Sequence, residues 1–199
     1  MCGTMVKSID ILENELKKMA FKEGAMVFMP INPNEVVVGN WVRLKCNYGC
    51  PSYAKKLSCP PYSPEPEETR KVLDEYSKAY LIGFSGSIFK KYGNLEFGKI
   101  FPKTLKDIRK SIFELEKHAF LAGYYKSFSY GFCGPCTMCD QCVVEENSLT
   151  CKFAKESRPS MEAAGIDVFK TVINAGLELK VQKEVNPDDL RMYTLLLLE

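Results

Sequence analysis

Cysteine spacing is the feature that most constrains this 199-residue chain, because eight of its nine cysteines fall in two short stretches. The first stretch has the pattern C-x3-C-x8-C, at Cys46, Cys50 and Cys59. The second has the pattern C-x2-C-x2-C-x2-C-x8-C, at Cys133, Cys136, Cys139, Cys142 and Cys151. In a reducing compartment, clustered cysteines are more often metal ligands or redox groups than disulfide partners. The two stretches therefore predict metal-binding loops at residues 46–61 and 133–151.

Neither end of the chain carries a targeting or membrane signal. Residues 1–10 lack a continuous apolar segment, and a charged stretch follows at residues 13–18. The apolar run at residues 195–198 is far shorter than the roughly 20 residues that a membrane helix needs. We therefore expect a cytoplasmic protein with reduced thiols and no membrane partner.

The second cysteine stretch fits a loop better than a helix. On a continuous helix, Cys133 and Cys142 would lie about 13 Å apart, too far for one small metal centre. The Gly134-Pro135 pair also disfavours a helix here. C-x2-C-x2-C is the core of the bacterial ferredoxin ligand run, although that run continues with x3-C-P and this one does not. The Cys59-Pro60 pair of the first stretch matches the Cys-Pro ending of such runs. The pattern favours iron–sulfur clusters.

Without Cys2, eight cysteines remain, the number needed by two four-cysteine sites. We place Cys136, Cys139, Cys142 and Cys151 on one centre and Cys46, Cys50 and Cys59 on the other. Cys133 either completes the second of these centres or stands free, and Cys2 is the next candidate for that position. If neither closes the site, one metal position stays open. We expect one or two clusters of the 4Fe-4S type, with zinc as the alternative because four-cysteine zinc sites are common structural staples.

Iron–sulfur clusters and zinc together allow three functions. An electron-transfer or accessory redox protein would work with a redox partner protein. An iron–sulfur enzyme would use an open position on the Cys46, Cys50 and Cys59 centre for sulfur transfer or Lewis-acid chemistry. A structural-zinc protein would mediate partner binding.

Charge and motifs exclude several other classes. Lys and Arg number 27 against 25 Asp and Glu, so no strong basic field favours nucleic acid. The sequence contains no G-x-G-x-x-G, G-x-x-x-x-G-K-[ST] or G-x-S-x-G motif, so nucleotide cofactors and serine hydrolysis lack support. The only histidine, His118, lies in a helical pattern and is interpreted as a satisfied, partly buried side chain. No feature fixes an oligomeric state.

Periodicity predicts a single domain over residues 1–199 that is α/β or α+β, with a mixed sheet and both cysteine loops at one edge. Helices are predicted from Ser8 to Gly24 and over residues 65–76, 104–123 and 167–175. Strands are predicted over residues 25–29, 79–84, 125–130, 177–182 and 192–198. Residues 36–38 and 41–44 are predicted as a hairpin around Gly39-Asn40.

Several motifs together resemble a prokaryotic family described as "predicted metal-binding protein", a domain of unknown function. They are residues 41–46, Gly49-Cys50-Pro51, residues 58–61, residues 134–136, Cys139, Cys142, Cys151, residues 158–163 and residues 165–167. The resemblance extends from about residue 25 to residue 182. It implies metal binding through the first three and the last four cysteines, with Cys133 and Cys2 outside the family pattern.

Overall fold

The computed structural model describes residues 6–88, 97–132, 134–181 and 188–199. Helix α1 (Ile9–Lys22) buries an apolar stripe of Leu12, Leu16 and Ala20, spaced four residues apart as one helix face requires. Gly24 then adopts a φ of +94°, a left-handed conformation that ends the helix at little steric cost. The chain turns there into the first strand, as the sequence predicts.

The other elements follow in chain order and largely confirm the predicted helices and central strands. The strands are β1 (Ala25–Ile31), β2 (Lys78–Ser85), β3 (Phe128–Ser129) and β4 (Arg191–Leu198). The remaining helices are α2 (Asn40–Gly49), α3 (Pro66–Asp74), α4 (Phe97–Leu121) and α5 (Val168–Asn174). Short 3-10 turns occur at Pro33–Glu35, Val143–Glu146 and Glu162–Ala164.

The four strands form one sheet in the order β1-β2-β4-β3. All three strand pairs are antiparallel, with Leu81 opposite both Met29 and Leu195. The predicted mixed sheet is therefore wrong, while the mixed α/β class and the single domain are confirmed. β2 and β3 run in the same direction, but β4 lies between them, so no two neighbouring strands of the described sheet are parallel.

Helices cover both faces of the sheet and create two hydrophobic cores. On one face, α1 and α4 pack against alternate residues of β2 and β4 such as Tyr80, Ile82 and Leu196. On the other face, α3, α5 and residues 161–166 pack against the intervening side chains, including Leu81 and Leu195. The two central strands are thus buried on both sides, which explains their nearly continuous apolar sequence.

Four predicted strands differ from the structure. Residues 41–44 lie in α2 instead of a strand, and Val38 makes only an isolated bridge to Ile166, so the predicted hairpin is wrong. The strand predicted over residues 125–130 shortens to Phe128–Ser129, because a turn closes between Tyr124 and Ser127. Residues 177–181 form no strand, and residue 182 lies outside the described residues. Leu177 and Leu179 of this segment instead pack against the second core.

Among the helices of the described ranges, none has the length and apolar character needed to cross a membrane.

Candidate metal centre

The first cysteine set lies where α2 ends. Cys46 occupies the last turn of the helix, Cys50 is its C-terminal cap, and Cys59 follows after a series of turns. The two loop cysteines differ in exposure, because Cys50 is partly exposed and Cys59 is buried. A helix end therefore presents this set, where the sequence predicts a strand end.

A buried arginine anchors the first loop to α2. Arg43 is only 7% exposed, and its guanidinium donates to Ser63 Oγ at 3.3 Å, to the Ser63 carbonyl at 3.2 Å and to the Pro64 carbonyl. Ser63 Oγ in turn donates to the Ala163 carbonyl at 2.6 Å. These bonds fix the segment that follows Cys59 against the 3-10 turn Glu162–Ala164. Arg43 thus positions the loop.

The second cysteine set lies in a segment with little regular structure. Residues 134–142 contain neither helix nor strand, which agrees with the predicted loop, and a 3-10 turn follows at Val143–Glu146. Cys142 is buried, whereas Cys136, Cys139 and Cys151 are partly exposed. Cys133 and Cys2 lie outside the described residues.

Arg109 of α4 holds the start of this loop. It is 5% exposed and donates through Nη2 to the Phe132 carbonyl at 2.8 Å and to the Gly134 carbonyl at 2.9 Å. Its Nη1 lies 3.5 Å from Thr137 Oγ1. One buried guanidinium therefore binds the carbonyls of residues 132 and 134, where the second set begins.

Thiols within each set lie close enough to influence one another. Burial raises the pKa of Cys139, and the neighbouring thiols of Cys136, Cys142 and Cys151 raise it further. The Lys56 ammonium acts on the same pKa in the opposite direction. The thiols of Cys136, Cys142 and Cys151 thus affect the pKa of Cys139, although no three described side chains of this set form a group that could hold an ion.

The first set behaves in the same way. Burial and the neighbouring Cys50 raise the pKa of Cys46. Burial also raises the pKa of Cys59, with Cys50 and Cys46 as further causes. Partial burial and the neighbouring thiols both make it unfavourable to remove the protons of Cys46 and Cys59 unless a cation is present.

The two sets meet. The backbone of Cys136 is close enough to the Cys59 thiol to lower its pKa in part, against the larger effect of burial. Lys56 of the first loop lies 4.0 Å from the Glu145 carboxylate, which belongs to the second loop. Cys59 and Cys136 therefore lie on the same side of the molecule.

Thiols are donors that soft metals prefer, although the described side chains are not arranged around a metal position. All seven described cysteines are free thiols. Within residues 6–88, 97–132, 134–181 and 188–199, no three His, Cys, Asp or Glu side chains already form a group that could hold an ion. Cysteine side chains are the donors that zinc or an iron–sulfur cluster takes up as thiolates. Binding would require these neighbouring side chains to close around the metal, so it would be coupled to local ordering.

A cavity of about 960 Å³ opens beside the first set. Its wall includes the three cysteines of that set, Gly134 and Pro135 of the second loop, and Glu162. The rest of the lining is largely apolar and includes Trp41, Val42, Phe169, Ile173 and Tyr193. The first set therefore faces a space large enough for a small organic molecule.

The sequence reasoning missed two ionisable residues at the cysteine loops, Arg109, which is buried, and Glu162, which is partly buried. Arg109 holds the second loop, and Glu162 lies in the cavity wall with the first set. Burial raises the pKa of Glu162, and its Oε2 atom has no hydrogen-bond partner among the described residues. The available signals were that Arg109 lies four residues after Leu105 and three before Ile112 in the amphipathic pattern, and that Glu162 lies between Met161 and Ala163.

The interpretation of His118 is confirmed. Its Nε2 lies 2.7 Å from Glu15 Oε2, and its side chain is partly buried, far along the chain from both cysteine sets. Lys7 contacts the same carboxylate at 2.6 Å. His118 thus has a structural partner and no thiol neighbour is recorded for it in the described structure.

Comparison with known proteins gives one match. A family model described as "Predicted metal-binding protein", a domain of unknown function, matches residues 29–198. The matched range contains both cysteine sets, Arg109 and Glu162. No curated protein and no solved structure matches the chain.

Proposed function

Because the chain belongs to this family of predicted metal-binding proteins, we propose that it is an iron–sulfur protein that transfers electrons or serves as an accessory redox protein. Cys136, Cys139, Cys142 and Cys151 would hold one 4Fe-4S cluster. Cys46, Cys50 and Cys59 would hold a second, whose fourth position is closed by Cys133 or Cys2 or stays open. A bound cluster would supply one-electron redox chemistry, and a redox partner protein would exchange those electrons.

The spacing and local structure of the second cysteine set support the proposal. Cys136, Cys139 and Cys142 follow one another at x2 spacing in a segment, residues 134–142, that has neither helix nor strand. Such a loop leaves backbone N–H groups available to cluster sulfurs, whereas paired zinc knuckles need no third x2 spacing. Arg109 fixes the backbone at one end of the loop, and Lys56 supplies a positive charge that offsets thiolate charge.

The proposed function requires reduced thiols, and the seven described cysteines form no disulfide. We therefore place the protein in the cytoplasm, where thiols stay available as ligands.

Metal analysis tests the proposal directly. Protein purified and reconstituted without oxygen should be brown and should contain iron and acid-labile sulfide. Cys139→Ala should lose about one cluster, while Asp140→Asn, an exposed neighbour of unchanged size, should keep the wild-type content. Stoichiometric zinc without sulfide would refute the cluster and leave a structural-zinc protein that mediates partner binding.

The cavity favours a second candidate, an enzyme that binds its substrate at an open metal position of the first centre. Three thiols in the wall of a space of about 960 Å³ would place such a position within reach of a small molecule. A Cys133→Ala variant separates the two functions. If it loses the first cluster, Cys133 closes that centre and the enzyme is refuted. If both clusters survive and added sulfide perturbs only the first, the enzyme is supported.

A further inference from the structure

The cavity of about 960 Å³ collects large apolar side chains that the fold leaves exposed. Helix α2 contributes Trp41, which is 50% exposed, and α5 contributes Phe169 and Ile173, which are 42% and 56% exposed. Val181, which is 82% exposed, lines the same space. Single exposed apolar side chains are common on folded proteins, but several that line one concave space are typical of a site that binds an apolar molecule.

Helical spacing directs these side chains at the cavity. Phe169 and Ile173 are four residues apart in α5, so they lie on one face of that helix, and both line the cavity. Trp41 and Lys45 are likewise four residues apart in α2, and both line the cavity. Tyr193 of the buried strand β4 also belongs to the wall. Much of the wall therefore comes from regular elements of the fold, as in sites that are formed before their ligand arrives.

Two lysines in the wall carry positive charge without a partner. Of the four basic residues there, Lys180 pairs with Glu178 at 3.2 Å, and Arg191 donates to a backbone carbonyl at 2.6 Å. The other two, Lys45 and Lys170, are exposed, and within the described part of the chain neither makes a salt bridge or a side-chain hydrogen bond. Both ammonium groups are therefore available to an anion.

The acidic residues of the wall do not offset these two lysines. Asp167 is 6% exposed, and its carboxylate accepts the backbone N–H of Lys170 at 3.0 Å. Glu162 is partly buried, and Asp189 is engaged in an interaction of its own within the protein. An incoming molecule would thus meet exposed apolar side chains next to unpaired positive charge.

We propose that this cavity binds an apolar organic anion, a molecule with a hydrocarbon or aromatic body and one carboxylate. The body would cover the exposed side chains of Trp41, Phe169 and Ile173, and the carboxylate would pair with Lys45 or Lys170. A space of about 960 Å³ lies within the usual range for small-molecule sites. The inference goes beyond the proposed redox function, because these contacts come from side chains of the protein and do not require a cluster.

Trp41 is the only tryptophan in the chain and lines the cavity, so its fluorescence reports directly on occupancy of this space. The probes are decanoate, butyrate and decyltrimethylammonium. Butyrate keeps the carboxylate and shortens the chain, whereas decyltrimethylammonium keeps the chain and reverses the charge. Each probe is titrated, below its micelle-forming concentration, into the full-length chain purified without oxygen, and calorimetry gives the dissociation constant. We expect decanoate to bind at least about 10-fold more tightly than either other probe and to shift Trp41 emission to shorter wavelength, because the ring becomes covered.

A matched pair of variants tests the apolar contact. Ile173→Ser removes an exposed side chain from the wall, and Ile11→Ser removes one of equal exposure, 55% against 56%, from α1 outside the cavity. Ile173→Ser should weaken decanoate binding at least about 3-fold, while Ile11→Ser should match wild type. Both positions are exposed, so both variants should fold, and their urea midpoints check this.

A second matched pair tests the charge. The double variant Lys45→Met and Lys170→Met removes both unpaired ammonium groups but keeps long side chains. Its control is Lys18→Met and Lys110→Met, at two exposed positions of α1 and α4 outside the wall. The cavity double variant should lose at least about 3-fold in affinity for decanoate and gain none of this loss back at high salt, while the control pair should match wild type.

Three results would overturn the inference. If decanoate neither binds nor shifts Trp41 emission, the cavity takes no such ligand. If decyltrimethylammonium binds as tightly as decanoate, the site does not select an anion. If the cavity variants bind decanoate as wild type does, the ligand binds elsewhere on the protein. None of these results depends on the iron and sulfide contents that test the proposed redox function.

Discussion

Replacing Arg109 by Met should destabilise the protein and loosen the second cysteine loop. The guanidinium is 5% exposed and donates at 2.8 and 2.9 Å to the carbonyls of Phe132 and Gly134. Each hydrogen bond from a charged donor contributes roughly 1.5–3 kcal/mol, so losing two costs roughly 3–6 kcal/mol. Relief from burying the guanidinium offsets part of that loss, and we expect a net cost of about 3 kcal/mol. Urea unfolding of the apo protein measures it.

Lys110→Met is the matched control for this experiment, because Lys110 is the next residue of α4 and is exposed. Its substitution should change the free energy of unfolding by less than about 0.5 kcal/mol. In the metal-loaded protein, Arg109→Met should also release metal from the second centre roughly 10-fold to 100-fold more readily, as loss of a supporting contact does. Equal urea midpoints and equal metal release for the two variants would refute the positioning role of Arg109.

Three further substitutions test the fold around the site. Arg158→Met breaks a bidentate pair with Glu116, at 2.5 and 3.0 Å and largely buried, so thermal unfolding should show a cost of about 3–5 kcal/mol; a cost below about 1 kcal/mol would contradict it. Hydrogen bonds from the lysine and histidine beside Glu15 lower the pKa of that carboxyl, so its stabilising effect is present above the ordinary pKa of 4.5 and disappears as pH falls through the lower folded value. The stability difference between wild type and Glu15→Gln should therefore shrink between pH 5 and about pH 3, and a constant difference would exclude the linkage. Gly165→Ala should cost at least about 1–3 kcal/mol, because φ is +79° and a Cβ would lie 2.7 Å from Pro66 Cγ, while unchanged stability would show that the turn relaxes.

The long amphipathic helices and the central strands could be predicted because their own residues determine them. Leu105, Ile108, Ile112 and Leu115 repeat at three to four residues, and all four are buried in the first core. The continuous apolar sequence of β2 also agrees with its environment, because a strand that is buried on both faces does not need to alternate apolar and polar residues. In these elements the local pattern and the tertiary environment agree.

The first cysteine loop shows where sequence reasoning fails. Residues 41–44 include an aromatic and a β-branched residue, which favour a strand, yet they form a helix whose Arg43 binds carbonyls of residues 63 and 64. That contact joins segments about twenty residues apart, and it produces no periodic pattern in the sequence. Glu162 was missed for the same reason, because its burial depends on the cavity wall and not on its neighbours in sequence. Tertiary contacts of single charged residues override local propensity at the site.

The contacts between the two cysteine sets make them one electrostatic unit. Lys56 comes from the first loop, yet it acts on the pKa of Cys139 and lies 4.0 Å from Glu145 in the second. In the other direction, a hydrogen bond from the backbone of Cys136 acts to lower the pKa of the Cys59 thiol. Salt screens such partly buried interactions less than exposed ones. Charge gained or lost at one set therefore changes the energy of thiolate formation at the other, and a ligand substitution in either loop should shift metal affinity or potential in both.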